Sequence, residues 1–523
     1  MALPGIHVTT ATLTIASAAT DNGPAGAPLA DALLIAALVP AVTAFNVCRW
    51  LADRVGRRRM LVATSLILAA AAMTAFTASA DAVLFAAVAL QGAAAAAAVP
   101  CAAGLYLEHC TTRGRAAAVG VSTTGFAAGA AFTCLAGAGL ASQAGWRGVY
   151  LVSVAAAGLL LIGLAWVPDT PGWRRARRPD PAREALVVVA AATLPTAVFL
   201  SAGIWSLLTA AAGTVALAGA GWRLVAKDTG KPSFTGVAVT LCEGAAAYLV
   251  LLAIPLLVQP AGQGSWAMAA TAAGPLAAVA GAALGRMTVR AASPRLTVYV
   301  GAATAAGGAA WLLAAGAGAL SNAPLWAPAL ILAGLGLGAT HTGAWQAGLA
   351  GVSSRRHVAG LTELAAARHL GGTLAATTIY AAASRAGGAS VPAGQAALAV
   401  GVGVLVLAGL TALIVRARQR VTPAPVQARP VPPLAPRGLP RGVIADLQTA
   451  TADLVEAIKA DLDGPAAQCA CHSGTTGTAV APAPQAPGRR EVLAAHPGGG
   501  PYRRDPYPRT HQPSATSTPS AVA

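Results

Sequence analysis

Arg49-Trp50-Leu51-Ala52-Asp53-Arg54-Val55-Gly56-Arg57-Arg58-Arg59 decides the fold, because it separates two long apolar segments. A tight turn holding an acid, a glycine and five arginines does not lie in lipid. It reads as a loop at a membrane surface, and its excess of arginine marks the cytoplasmic side. Gly56 permits a sharp turn, and Asp53 is placed to pair with neighbouring guanidinium groups or to cap a helix N-terminus. A few ion pairs of this kind can latch one conformation; the plainer alternative is that the arginines are only a positive-inside anchor.

Composition points the same way. Hydrophobic residues make up 56% of the chain and charged residues 10%, with a mean hydropathy of +0.63. A soluble domain carries about 25% charged residues, so the lipid bilayer is the expected solvent. The net charge of +17 does not indicate nucleic acid. Its arginines lie in short clusters between apolar segments, with no basic face interleaved with aromatics. The seven cysteines form no disulfide framework, and Cys48, Cys101, Cys134 and Cys242 read as small packing residues.

A window of about 20 residues yields spans at about 29–48, 60–79, 82–107, 115–141, 148–167, 184–202, 204–224, 236–258, 265–285, 295–318, 324–350, 358–384 and 393–415. Every second loop is basic. Arg113 and Arg115, the cluster Arg174 to Arg183, Arg223 to Lys231, Arg286 to Arg295, Arg355 and Arg356, and Arg416 to Arg420 all fall on the side of the arginine loop. The opposite side holds only Arg147 and Arg385, so the carboxyl terminus is expected in the cytoplasm. Gly125-x-x-x-Gly129, Gly334-x-Gly336-x-Gly338 and Gly401-x-Gly403 are expected to let helices pack closely. By this count residues 1–28 lie outside, because Ile6 to Ala19 is short and rich in threonine.

The run Leu51-Ala-Asp-Arg-Val-Gly-Arg-Arg58 resembles the loop signature of the major facilitator superfamily, with Arg49 where that signature begins with glycine. The opening Met1-Ala-Leu-Pro-Gly-Ile6 is similar to the end of the first span in the fourteen-span drug:proton antiporter family, which implies a first span missing from the chain as given. Thr112-Arg-Gly-Arg-Ala116, Gly145-Trp-Arg-Gly-Val-Tyr150 and Ala359-Gly-Leu361 followed by Arg368-His-Leu-Gly-Gly372 resemble further segments of it. The resemblance implies an all-α polytopic bundle of two pseudo-symmetric six-helix halves plus two extra central helices, working by alternating access. It also implies that Asp53, Arg54, Gly56, Arg57 and Arg58 form the conformational-switch loop. Two features depart from the family pattern. Val88 stands near where an arginine is usual before Gln91-Gly92, and Ala131 to Gly137 lacks the proline of the fifth-span motif.

An ionisable residue at mid-membrane costs at least about 2.5–3.5 kcal/mol, so each one there needs a reason. Glu243 lies about two turns into its span and is the candidate for proton coupling; its alternative is a protonated glutamate bonded to a neighbouring helix. Arg368 is placed to pair with Glu243 or with an anionic substrate, or to form a fixed structural pair. Glu363 and Arg368 face different directions, since five helical residues turn about 140°. His341 and Trp345 share a face, as do Thr342 and Gln346, which makes His341, Trp345 and Gln346 candidates for a cavity wall, with Gln91 a further one. For His341 the alternative is a satisfied packing histidine.

Residues 29–167 read as the first half, 168–233 as the two extra spans, 234–420 as the second half and 421–523 as a largely disordered tail. Within the tail, 441–463 has the spacing of a short amphipathic helix. Cys469, Cys471 and His472 lack a fourth ligand nearby, so no metal site is expected, and no cofactor motif or nucleotide-binding loop is present. The chain is expected to be a transporter, not an enzyme. Its expected activity is proton-coupled export of small amphipathic compounds across the plasma membrane, with the small-molecule substrate and protons as its partners. Alternatives are a metabolite facilitator or importer on the same fold, or a truncated, non-transporting scaffold.

Overall fold

The computed structural model describes residues 2–21, 26–109, 112–167, 233–258, 269–319, 323–350, 352, 356–385 and 390–420, with scattered positions between 181 and 216. The two extra spans lie almost wholly outside the described residues, and so does the whole tail with its proposed amphipathic helix.

Twelve long helices are described: α1 (Leu3–Asp21), α2 (Gly26–Val55), α3 (Arg57–Thr77), α4 (Asp81–His109), α5 (Thr112–Ala144), α6 (Tyr150–Leu164), α7 (Phe234–Val258), α8 (Ala273–Ala291), α9 (Pro294–Ala319), α10 (Ala323–Leu349), α11 (His357–Arg385) and α12 (Ser390–Arg420). From α2 onward they lie close to the apolar windows of the sequence. The largest difference is α8, which begins later and takes Arg286 and Arg290 into its last turns. Seven described helices are long and apolar enough to cross a membrane, and an eighth if the two pieces of α2, bent by 52°, form one span. Large apolar side chains such as Leu66, Leu159, Ile162, Met287, Trp311 and Leu407 point outward, whereas Thr64, Gln91, Glu243, Thr340 and His341 are buried. That arrangement suits a lipid exterior and a polar-lined interior.

The amino-terminal segment corrects the sequence reading. Residues 3–21 form a nineteen-residue helix that packs against α2, α4, α5 and α6 in the first half and touches α7. Residues 3–21 therefore lie within the bundle, where the sequence reading placed residues 1–28 outside it. The threonines that argued against a span are inside the bundle: Thr9, Thr10, Thr12 and Thr14 are all buried. Thr12 donates to the Thr9 carbonyl at 3.0 Å and Thr14 to that of Thr10 at 2.8 Å. The hydroxyls of Thr12 and Thr14, satisfied by their own helix, cost little against protein, and a hydropathy average does not see that.

The two halves repeat each other. In the first, α1 packs on α5, α2 on α4, α3 on α4 and α3 on α6; six helices later α7 packs on α11, α8 on α10, α9 on α10 and α9 on α12. The contacts between halves obey the same rule, since α2 meets α11 and α5 meets α8. Glycines set the closest approaches. A methyl group on Gly5 would run into the Phe126 carbonyl and one on Gly129 into that of Ala2. Likewise, Gly244 is seated on the Arg368 carbonyl and Gly371 on that of Leu241. The Gly334, Gly336 and Gly338 series seats α10 between α8 and α9, whereas the close contact expected of Gly401-x-Gly403 is not made at Gly403, which faces open space.

Candidate functional site

Between the halves lie two adjoining cavities. The one away from the arginine loop encloses about 590 Å³, counting space open to the outside, and is walled mainly by Ala127, Ala130, Val250, Ile254, Leu330 and Leu337. The second, on the arginine-loop side, encloses about 390 Å³ and is mostly aromatic, with Phe45, Tyr248, Trp345 and His369. Phe126, His341 and Arg368 line both, so they form the partition.

Glu243 closes that partition from α7, and its residue is only 1% exposed. Arg368, brought in by α11, donates from Nε to Oε2 at 2.9 Å and to Oε1 at 3.2 Å. His341 of α10 approaches Oε2 through Nδ1 at 3.0 Å. Three helices thus converge on one carboxylate, and removing Arg368 leaves its buried charge without a cation. The Arg368 guanidinium also stacks on Phe126 of α5, 3.9 Å from the ring centroid, which carries the cluster across to the first half. His341 and Trp345 stack at 4.6 Å between ring centroids.

A second polar pair lies beside the first. Tyr248 of α7 and Nδ1 of His369 of α11 are hydrogen-bonded, and the His369 ring meets Phe45 of α2 edge-on at 5.6 Å. Sequence reasoning passed over Tyr248 and Phe126, because an aromatic residue in an apolar run looks like any other packing residue. For His369 a signal was present: it directly follows Arg368 within a polar interruption of α11.

Two of the expected wall residues are elsewhere. Gln91 is 0% exposed and donates through Nε2 to Ser153 Oγ at 2.8 Å, tying α4 to α6 inside the first half. It lines neither central cavity, because its helical face is turned to its own half. Gln346 is half-buried and also lines neither, although Trp345 beside it does.

The arginine loop is a knot at one end of the first half. Gly56 adopts φ 106°, a conformation that disfavours any side chain, and so lets α2 end and α3 begin without a linker. Asp53 pairs with Arg57 at 3.0 Å. Arg58 donates from Nε to the Leu164 carbonyl at 3.0 Å, capping the last turn of α6. The Arg57 side chain lies on Gly104 of α4, where a methyl group would strike it, and Arg54 stacks on Trp50 at 4.7 Å. On the same end, Arg286 of α8 lies against Gly120 of α5, joining the two halves.

No curated protein sequence matches the chain. Among solved structures it is similar to the Escherichia coli xylose transporter XylE in a partially occluded inward-open conformation, with a TM-score of 0.55 and 14% identity over 78% of this chain and 94% of that one. It is also similar to an auto-inhibited POT family peptide transporter, with a TM-score of 0.52 and 16% identity over 82% and 98%. A third is the human organic anion transporter MFSD10, with a TM-score of 0.51 and 13% identity over 79% and 97%. At such identities the likeness is one of fold. The sequence pattern of the Major Facilitator Superfamily matches residues 5–376, most of the chain, and the repeated halves described above have the architecture it implies; the chain belongs to that superfamily.

Proposed function

We propose that this secondary transporter exports small amphipathic compounds by alternating access and couples that export to protons through Glu243. The observation that carries the reading is the position of Glu243, buried in the partition between the two cavities and held by His341 and Arg368. A proton arriving at that carboxylate weakens its grip on Arg368, so the partition changes shape with the charge state of one residue. The basic loops orient the arginine-loop end, and with it the carboxyl terminus, toward the cytoplasm of the plasma membrane. There the knot of Asp53, Arg54, Gly56, Arg57 and Arg58 biases the switch between states.

One observation favours a second reading. Both Glu243 oxygens are already engaged by Arg368, so the pair can serve as a fixed strut in an uncoupled facilitator. Transport into proteoliposomes separates the two. Under the coupled reading Glu243→Gln abolishes transport driven by an imposed pH gradient while substrate exchange at equal pH persists. Unchanged gradient-driven transport in that variant sinks the coupled reading and leaves the facilitator.

A further inference from the structure

The hydrogen-bonding capacity of the partition is lopsided. On the acceptor side, Oε1 and Oε2 of Glu243 are both occupied by Arg368, and Oε2 also by His341. On the donor side, Arg368 uses only Nε among the described residues. Its terminal nitrogens, the prongs of the guanidinium fork, have no hydrogen-bond partner there, although the residue lines both cavities and its side chain is 11% exposed. Trp345, in the wall of the aromatic cavity, likewise keeps its indole N–H buried without an acceptor. Buried donors left unpaired are expensive, and a guanidinium fork suits the two oxygens of an acidic group.

We propose that the transported compound is a lipophilic organic anion. Its acidic headgroup sits on the terminal nitrogens of Arg368, with the Trp345 N–H as a further donor, and its apolar body fills the cavity walled by Val250, Ile254, Leu330 and Leu337. This rests on the transport reading of the same cavity and names its substrate class. A cationic ligand finds the only acid among the described residues of the partition already neutralised, and a neutral one offers the fork no charge-assisted pair. Glu243 and the headgroup then compete for one arginine.

The test uses the full chain in lipid nanodiscs and three probes with the same body: 4-phenylbutyrate, 4-phenylbutanol and 4-phenylbutylammonium. Calorimetry should show the acid binding at least about tenfold more tightly than the alcohol or the amine, the scale of a charge-assisted pair. Arg368→Lys, which keeps the charge but loses the fork, should erase most of that preference. Trp345→Phe should weaken the acid a few-fold and spare the alcohol. Glu243→Gln, which removes the rival carboxylate, should tighten the acid and so exclude general damage to the site. The proposal is overturned if the alcohol or amine binds as well as the acid, if the acid does not bind, or if Glu243→Gln weakens it. Proteoliposome uptake keeps the two readings apart. Acid-selective binding without uptake refutes transport and keeps the anion site, whereas uptake of the amine or alcohol without acid preference does the reverse.

Discussion

The helix pairs α1–α5 and α7–α11 are built alike and furnished differently. Gly5 with Phe126, and Gly129 with Ala2, make the same crossing as Gly244 with Arg368 and Gly371 with Leu241, down to the three-residue offsets. Overlaying the crossings sets Phe126 on Arg368 and Pro4 on Glu243. The first half thus carries a ring and an imino acid where the second carries an ion pair. The two equivalents Phe126 and Arg368 then touch face to face across the interface. Backbone packing is therefore the shared part of the repeat, and charge is the property of one copy. Because small residues alone set the crossing, side chains one position away are free to diverge without moving a helix.

The sharpest way to break this comparison is to make the second pair as uncharged as the first. Arg368→Leu alone should destabilise the protein by about 3–5 kcal/mol, since Glu243 is left buried without its guanidinium. Adding Glu243→Leu should recover most of that loss while transport stays absent. Thermal unfolding in detergent reads the first effect, and failure of the double variant to recover would mean that the ion pair is part of the scaffold. A smaller effect sharpens the packing half of the comparison. Gly244→Ala and its equivalent Gly5→Ala should each cost about 1–3 kcal/mol by overpacking. Equal costs would support equivalence of the crossings, and a harmless Gly5→Ala would refute it. Smallest of all, Gln91→Leu should change stability by about 1 kcal/mol or less and leave the substrate KM unaltered, because Gln91 lies outside the cavities. A shift in KM would return it to the binding wall.

The arginine loop gave away the fold because arginine clusters and long apolar runs are cheap to read and hard to satisfy any other way. Glu243, His341 and Arg368 stood out for the same reason: each is costly in a membrane, and the structure shows what offsets each cost. What stayed hidden depended on direction, not composition. Gln91 and Gln346 are polar enough for a cavity, but the face each presents is fixed by which helices pack beside α4 and α10. Phe126 and Tyr248 gained importance only from what the tertiary fold sets against them. For α1 the obstacle was the averaging itself, which counts Thr9 to Thr14 as a burden whether they meet lipid or protein.

That interior threonine face has a consequence for how the chain enters the membrane. A segment whose hydroxyls suit protein neighbours better than acyl chains is a weak insertion signal by itself. α1 should integrate poorly by itself and efficiently once α2 follows, as a hairpin drawn in by its more apolar partner. Glycosylation mapping of α1 with and without α2 during cell-free synthesis would measure this, and full integration of α1 alone would refute it. α1 would then be synthesised before α2 yet inserted only together with it.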